Sequence, residues 1–366
     1  MDIQAQFIKM GAILKKFGIA EPIKRVEVLK NGHINNTLLV DTAKARYIVQ
    51  EVNSYVFKDP VKIMENIEMV TDHIRAKKAA LGVDTNRGIL NFLHAADGLN
   101  YTIDENGSLW RVCPYIDRTA TFEQVESLDV LYNAGYGFGE FQAMLSDFPI
   151  EKLNETIEDF HNTRKRLINF FDCVDQNPSG RAAEVRREID FFEQRRESAG
   201  AFTKLIKDKT LPLRVTHNDT KYNNILIDTD TNKAVCVIDL DTVMPGLSVY
   251  DFGDAIRFAA STAKEDEVNL DLVKVNMEYF KTFANGFFGA LNHSLSRVEM
   301  ENMVNGCINI TIELASRFLG DHIMGDKYFR IHHPNHNLER ARNQIQLAMD
   351  MEKNRDEMTE LVMKYL

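Results

Sequence analysis

The chain has 366 residues, of which 44% are hydrophobic, and a net charge of −10. This length favours more than one folding unit. No basic tail or Lys/Arg cluster indicates nucleic acid or an anionic membrane as a partner, and no apolar run approaches the length of a membrane span. The four cysteines form no C-x-x-C pair and the N-terminus lacks a basic segment. We therefore expect reduced thiols, no signal peptide and a cytoplasmic protein.

The first third of the chain has the pattern of a helix followed by short strands. Apolar residues at helical spacing predict an amphipathic helix that ends at Gly18 and packs on the core. Strands follow with a turn at 31–33, and a second helix begins at Pro60 with Asp59 as its N-cap. The predicted helices cover 2–18 and 60–81, and the predicted strands cover 23–29, 36–40, 46–52, 89–93, 100–103 and 110–113.

From residue 121 onward the pattern becomes mainly helical, interrupted by a predicted β-hairpin at 225–238. We predict an α+β fold: a small N-terminal antiparallel-sheet lobe over 1–113, a hinge over 114–120 and a large, mainly helical C-terminal lobe over 121–366. Ligand sites favour such junctions. The predicted helices of the second lobe cover 121–145, 156–174, 181–207, 263–291, 296–319 and 337–365.

One segment carries a chemical signature. His217, Asp219 and Asn224 form the pattern H-x-D-x-x-x-x-N, and an apolar run then ends in Asp239. Kinases use this arrangement to move a phosphoryl group from ATP to a hydroxyl, with magnesium held by the Asn and the second Asp. Anionic ligands approach the triphosphate only with a divalent cation between them. The motif alone also fits a plain polar turn, but the predicted hairpin would make Asp219 and Asp239 converge.

The pattern assigns a role to each of its residues. Asp219 is the candidate to orient or deprotonate the acceptor hydroxyl. Phosphoryl transfer is mostly positioning and charge stabilisation, so this carboxylate need not be a strong base. Asn224 and Asp239 are the candidate Mg²⁺ ligands. His217 is expected to support the loop by hydrogen bonding and not to take part in the chemistry.

Three more acidic residues and one isolated arginine invite interpretation. Helix capping is the favoured role for Asp251 or Asp254. Alternatively, Asp251 binds the backbone of the motif loop and holds its shape. Asp241 is a weaker candidate for a substrate or metal contact. Arg317 lies in an apolar helical run, which calls for either an anionic or multi-hydroxyl partner or a structural ion pair.

Candidate nucleotide contacts lie in the first lobe and at the junction. Gly32 belongs to a turn that suits a cover over phosphates, although a plain β-turn fits about as well. Pro114 and Tyr115 lie in the connection between the two lobes, where ligand sites are common.

These motifs resemble the aminoglycoside phosphotransferase and choline kinase superfamily, which has a protein-kinase-like bilobal fold. The resemblance spans the chain in element order, and a closer one is to the N-acetylhexosamine 1-kinases. The segments that carry it are 32–35, 47–50, 217–224, 238–246, 251–258 and 316–319.

The resemblance implies a substrate and a set of contacts. It implies ATP and Mg²⁺ as cofactors and the anomeric hydroxyl of N-acetylglucosamine or N-acetylgalactosamine as the acceptor. The implied partners are therefore a nucleotide and a small sugar, and a monomer is compatible with the sequence. By the same resemblance, the sugar contacts are His33, Asp219, Thr242, Phe258 and Arg317.

One position departs from the pattern of many kinases of this fold, which place a Lys on the third strand to hold the α- and β-phosphates. Here Gln50 occupies that position and is the candidate nucleotide contact. A neutral amide donates hydrogen bonds but supplies no charge. Glu65 or Glu68, on the next helix, then lacks its usual Lys partner.

Four hypotheses follow. The favoured one is an ATP- and Mg²⁺-dependent N-acetylhexosamine 1-kinase. The second is a kinase of another small alcohol, such as choline, homoserine or an aminoglycoside. The third is a metal-dependent hydrolase with His217, Asp219 and Asp239 as ligands. The fourth, suggested by Gln50, is a nucleotide-binding regulator without catalysis.

Overall fold

The computed structural model describes residues 3–29, 34–83 and 85–366. Two helices and five strands make up its N-terminal lobe. They are α1 (Ile3–Lys16), β1 (Ile23–Leu29), β2 (Asn36–Thr42), β3 (Arg46–Glu51), α2 (Pro60–Ala80), β4 (Thr102–Ile103) and β5 (Leu109–Pro114). The strands form one antiparallel sheet in the order β1-β2-β3-β5-β4.

The two faces of this sheet have different neighbours. Helix α1 buries Met10 and Leu14 in a core shared with Val49 of β3 and Val112 of β5. This confirms the prediction of a core-packing helix. Because side chains alternate along a strand, the residues adjacent to these valines point away from α1. That opposite face lies towards α2 and the C-terminal lobe, where Ile67 of α2 shares a second core.

The C-terminal lobe is mainly helical, with short strands around the H-x-D motif. Its elements are β6 (Thr119–Ala120), α3 (Leu128–Met144), α4 (Thr163–Gln176), α5 (Arg186–Glu193), α6 (Ala201–Lys207), β7 (Arg214–Thr216), β8 (Ile225–Asp228), β9 (Ala234–Val237), β10 (Met244–Gly246), α7 (Ser248–Ala259), α8 (Met277–Leu291), α9 (Arg297–Met324), α10 (His336–Lys353) and α11 (Arg355–Met363). Strands β6, β8 and β9 form one sheet, and β7 pairs with β10. The predicted α+β, bilobal fold class is confirmed.

Three predicted elements were wrong, and three more helices differ in bounds: those over 121–145 and 156–174 begin at Leu128 and Thr163, and that over 337–365 is divided into α10 and α11. The segment 89–93 is not a strand; its Leu93 N–H donates to the Val112 carbonyl at 2.8 Å, outside any ladder. The predicted helix over 181–207 is divided into α5, α6 and two 3-10 turns. The predicted helix over 263–291 begins only after Asn276, whose side chain caps α8. Within the described ranges, no helix is long and apolar enough to cross a bilayer.

Helices α7 and α9 cross at a contact that only glycine permits. A Cβ atom on Gly306 of α9 would lie 2.2 Å from the Val249 carbonyl oxygen of α7, and one on Gly253 would lie 2.8 Å from the Gly306 backbone. Real side chains do not approach backbone this closely, so the two glycines set the distance between the helices. This distance matters for the site because α7 lies beneath the H-x-D loop.

We predict that Gly306→Ala destabilises the protein by about 1–3 kcal/mol, the usual cost of overpacking a core. Gly289→Ala is the matched control. Gly289 lies in α8 with open space around its Cβ position, so the change should stabilise by up to about 1 kcal/mol. Urea unfolding of both variants measures the two effects. Equal stability of the two variants would contradict a close α7–α9 contact.

Candidate active site

The loop between β7 and β8, residues 217–224, is held by helix α7. Asp251, in the first turn of α7, accepts the backbone N–H groups of His217 at 2.8 Å and of Asn218 at 2.7 Å. The Gln142 amide donates to the same carboxylate at 2.9 Å. Burial raises the pKa of Asp251, against the opposing effect of these hydrogen bonds. Asn218 has a φ of +63°, which is costly without such support.

Neither Asp251 nor Asp254 caps α7, so the capping interpretation is wrong. The N-cap position is Leu247, which has no side-chain cap. Asp254 instead accepts two hydrogen bonds from Arg257, at 3.0 Å from Nε and 2.8 Å from Nη2. Asp251 is therefore used in a tertiary contact with the loop, and Asp254 in an ion pair within α7.

His217 is buried, and both of its ring nitrogens are engaged. Its Nε2 donates to the Ile238 carbonyl at 2.9 Å, and its Nδ1 accepts the Asp219 backbone N–H at 3.3 Å. The ring meets Phe138 and Phe141 edge-on. These contacts leave His217 unavailable as a metal ligand, so the hydrolase hypothesis loses one of its three proposed ligands.

Asp219, Asn224 and Asp239 come together at one end of the β8–β9 hairpin. The Asn224 amide donates to the Asp219 carbonyl at 2.8 Å and to its carboxylate at 3.1 Å. The Ile238 N–H donates to the Asn224 carbonyl at 2.9 Å, so Asp239 follows directly beside this pair. Asp239 has a φ of +59° and leads into the 3-10 turn Leu240–Thr242.

The electrostatics of the two acids differ. Solvent reaches the Asp239 side chain, yet partial desolvation within the cleft and the charges of Asp241 and Asp219 raise its pKa to about 6. Desolvation also raises the pKa of Asp219. The Lys221 ammonium, 2.8 Å away, outweighs this effect, so the net shift of the Asp219 pKa is downward. Asp219 is thus held ionised, whereas the acidic neighbours of Asp239 oppose its ionisation.

The N-terminal lobe reaches this region through charged and polar side chains. Gln50 on β3 lies opposite Arg111 on β5, and its Oε1 accepts from Arg111 Nε at 3.0 Å. Arg111 Nη1 then donates to the carboxylate of Asp241 at 2.5 Å. Glu65 and Glu68 of α2 bind elsewhere. The Glu65 carboxylate accepts from an Asn154 amide, and Glu68 contacts His94.

Thr242 and the predicted hinge residues have defined neighbours. The Thr242 hydroxyl donates to the His217 carbonyl at 2.7 Å, so only its lone pairs remain for a ligand. The Tyr115 N–H donates to the Arg46 carbonyl at 3.0 Å, and the Arg46 guanidinium lies over the Tyr115 ring. Pro114 is exposed at the end of β5.

A cluster of charged side chains lies against the same loop from α4 and α9; we call it the Glu313 cluster. His161 bridges the Glu313 carboxylate at 3.0 Å and the Asn218 carbonyl at 2.9 Å. Burial lowers the pKa of His161, but Glu313 and this carbonyl outweigh it, and the net shift is upward. Burial and the nearby Arg317 charge lower the pKa of Arg166, while Glu313 opposes them. The cluster therefore joins cationic groups to the Glu313 carboxylate, and the Asp254 and Asp159 charges also act on His161 and Arg166.

Arg317 belongs to this cluster by position. It follows Glu313 by four residues on α9, so both side chains share one helix face. Its guanidinium packs against two aromatic rings, 5.8 Å from the centroid of Tyr328 and 5.3 Å from that of Phe329. Among the described residues, it pairs with no carboxylate.

The remaining predicted sugar and nucleotide contacts are less well defined. Phe258 is half-buried on α7 and packs against the main core. The predicted contacts Gly32 and His33 lie outside the described residues.

The sequence analysis missed several residues of this region: Arg111, His161, Lys221, Arg166 and Glu313. Arg111 had a usable signal, since a lone charge in an apolar strand is the same anomaly that drew attention to Arg317. Lys221 lies within the motif itself. His161 had no local signal, because its contacts come from residues far along the chain.

Comparison with solved structures shows which proteins share this fold. A spectinomycin phosphotransferase, solved with ADP and spectinomycin, superposes with a TM-score of 0.62 at 11% identity, over 96% of this chain and 99% of that one. A microcompartment-associated aminopropanol kinase gives 0.58 at 14%, over 97% and 98%. A choline kinase from Cryptosporidium parvum gives 0.54 at 12%, over 92% and 91%. At these identities the similarity establishes the fold.

The class of protein that this fold and the H-x-D loop define is a phosphotransferase. A sequence profile described as the phosphotransferase enzyme family (APH) matches residues 25–276, more than half of the chain. The chain belongs to this family.

We predict that the stabilising contribution of His161 depends on pH. Its raised pKa means that the contribution is complete below the unfolded-state value of about 6.5 and is lost as pH rises through the higher folded-state value. The free energy of unfolding should therefore differ more between wild type and His161→Asn at pH 6 than at pH 9. Urea unfolding at both pH values measures this, and an equal difference would contradict an imidazolium bridge to Glu313.

Proposed function

We propose that this protein is an ATP- and Mg²⁺-dependent kinase that transfers the γ-phosphoryl group to the anomeric hydroxyl of an N-acetylhexosamine. The observation that carries the proposal is the shared location of Asp219, Asn224 and Asp239 at the junction of the lobes, with the Glu313 cluster against the same loop. The sheet lobe is proposed to bind the nucleotide, with Gln50 and Tyr115 among its contacts and 114–120 as the hinge.

The proposed chemistry uses few groups. Asp219 accepts the hydrogen of the acceptor hydroxyl and orients it for in-line attack on the γ-phosphorus. Lys221 keeps this carboxylate ionised, and its ammonium would neutralise charge on a phosphoryl group transferred beside Asp219. His217 and Asp251 hold the loop and take no part in bond making. The bond from the γ-phosphorus to the β,γ-bridging oxygen breaks as the bond from the γ-phosphorus to the acceptor oxygen forms.

The residues present suit magnesium. Asn224 and Asp239 offer one amide oxygen and one carboxylate, and Mg²⁺ is usually held by one or two carboxylates together with phosphate oxygens and water. Among the described residues there is no group of three or more His, Cys, Asp or Glu side chains arranged to hold a metal. When bound, the ion would neutralise phosphate charge and the crowding of acids around Asp239.

The charge of the Glu313 cluster favours a neutral, oxygen-rich acceptor. Choline, aminopropanol and aminoglycosides carry ammonium groups at neutral pH. In this chain the Arg166 and Arg317 guanidinium groups lie beside Glu313, and among the described residues the Arg317 guanidinium pairs with no carboxylate. Like charges repel, whereas guanidinium donors suit hydroxyl and carbonyl oxygens. An N-acetylated sugar offers such oxygens and no positive charge.

The test is incubation with ATP, Mg²⁺ and a panel of N-acetylhexosamines, other sugars and amino alcohols. Mass spectrometry and phosphorus NMR identify the product. A 1-phosphate of N-acetylglucosamine or N-acetylgalactosamine supports the proposal. Phosphorylation of an amino alcohol alone would replace it with the second hypothesis, and nucleotide binding without transfer to any acceptor would replace it with the fourth.

We predict that Asp219→Asn lowers kcat by about 100- to 10,000-fold, the range for loss of a general base. Nucleotide affinity should stay close to that of the wild type because the amide keeps the shape of the side chain. Asp230→Asn, at an exposed hairpin position, is the control and should retain full activity. A residual rate above about a tenth of wild type would remove Asp219 from its proposed role.

We predict that Arg317→Ala raises the KM for the hexosamine and leaves that for ATP nearly unchanged. Losing a charged hydrogen bond costs about 1.5–3 kcal/mol, which corresponds to about 10- to 100-fold in kcat/KM for the sugar. Arg342→Ala is the control, since Arg342 pairs with Glu188 on α5 instead. A destabilised Arg317→Ala protein with unaltered sugar KM would show that Arg317 has only a structural role.

A further inference from the structure

Arg111 is a buried cation in the middle of strand β5. Only 1% of its surface is exposed. Its strand neighbours Trp110 and Val112 pack in the α1 core, so alternation directs Arg111 to the opposite face, towards the C-terminal lobe. Burying a guanidinium is strongly unfavourable unless its donors find acceptors. The contacts of Arg111 therefore reveal what this charge is for.

Those contacts join the two lobes. Arg111 Nη1 donates to Asp241 of the C-terminal lobe at 2.5 Å, and its Nε donates to Gln50 of β3 at 3.0 Å. The guanidinium also lies over the Phe92 ring, 4.7 Å from the centroid. Met64 of α2 contributes its sulfur atom at 3.7 Å. One side chain thus ties the centre of the sheet to the segment that follows Asp239.

The N-terminal lobe uses both carboxylate oxygens of Asp241. Arg111 takes Oδ1, and the Asn35 amide donates to Oδ2 at 2.6 Å. The Asn35 side chain is itself fixed, because its Oδ1 accepts the Asn53 backbone N–H at 3.0 Å. Asp241 is only 3% exposed. It is therefore engaged as an anchor and is poorly placed to bind a ligand directly.

The anchor lies two residues after Asp239, on the 3-10 turn Leu240–Thr242. On the far side of this turn, Asn66 of α2 donates to the Val243 carbonyl at 2.9 Å. The segment from Asp239 to Val243 is thus held by the N-terminal lobe at two points. Pairing Asp241 with a cation also reduces its repulsion of the Asp239 carboxylate.

We propose that Arg111 is a positioning residue for phosphoryl transfer: its ion pair with Asp241 locks the lobes together and aims Asp239 at the metal–nucleotide complex. This inference rests on the proposed function, in which Asp239 holds Mg²⁺. It also explains Gln50. An ammonium at that position would lie against the Arg111 guanidinium and repel it, whereas the amide oxygen accepts its hydrogen bond. In this chain the cation of the N-terminal lobe therefore lies on β5, and it acts on the site through Asp241 of the C-terminal lobe.

The test measures the affinity of the full-length protein for Mn²⁺·ADP by calorimetry, and kcat and KM by steady-state kinetics. Loss of the partner behind a metal ligand typically costs 10- to 100-fold in metal affinity, so Arg111→Met and Asp241→Asn should each weaken Mn²⁺·ADP binding about 10-fold or more. Their combination should be no worse than the more severe single variant, because both remove one interaction. Arg111→Lys, which keeps the charge, should recover part of the affinity. The KM for the acceptor should stay within about twofold in all three single variants.

Two further proteins separate positioning from stability. Arg195→Met breaks an ion pair with Glu352 within the C-terminal lobe, at 2.8 and 2.6 Å; it should lower the melting temperature without weakening Mn²⁺·ADP binding. Arg111→Met/Asp241→Leu replaces the pair by apolar groups, a change that often preserves folding, and should still bind Mn²⁺·ADP weakly. The proposal would be overturned if either this double variant or folded Arg111→Met bound Mn²⁺·ADP with the affinity of the wild type.

The binding experiment needs no acceptor, so the two proposals can fail separately. If the wild type binds Mn²⁺·ADP but phosphorylates no sugar in the panel, the proposed substrate is wrong and the role of Arg111 is still decided by the variants. If the wild type binds no Mn²⁺·ADP, both proposals are overturned.

Discussion

The carboxylate of Asp251 is the group on which the rest of the site depends. It receives two consecutive backbone N–H groups from the H-x-D loop, and this lets Asn218 keep a left-handed conformation that turns Asp219 out towards its neighbours. The carboxylate can be there only because α7 lies close beneath the loop, and α7 lies there because Gly253 and Gly306 allow it to touch α9. The packing of α7 against α9 therefore also determines the conformation of the H-x-D loop.

Charge is divided across the loop. Acidic groups gather on the side of the hairpin, where Asp239 is flanked by Asp219 and Asp241. Cationic groups gather around Glu313 on the side of α4 and α9, with His161 as the direct link to the loop backbone. Between them, Lys221 and Asp219 form an ion pair. Under the proposed function, the cation-bound triphosphate would lie on one side of the loop and the uncharged acceptor on the other.

Local patterns were sufficient to predict much of the fold. Alternation gave β1 at its observed bounds, and the Asp59 and Pro60 signals marked the start of α2, where the Asp59 side chain accepts the Lys62 N–H. Both patterns depend on neighbouring residues alone. The long helices over 181–207 and 263–291 were wrong because helical spacing continues through segments where tertiary contacts and capping side chains, such as that of Asn276, break the helix. Periodicity does not detect such breaks.

The sequence by itself determined the chemical class of the motif, because H-x-D-x-x-x-x-N places its residues within one loop and a hairpin brings the second acid back beside it. Only the tertiary structure decided what surrounds that motif. It paired Arg111 with Gln50 and Asp241, gave Asp251 to the loop and not to a helix cap, and placed His161 between Glu313 and Asn218. These partners lie 33 to 152 positions apart in the chain. Contacts over such separations depend on how whole elements pack, and no local pattern of residues records them.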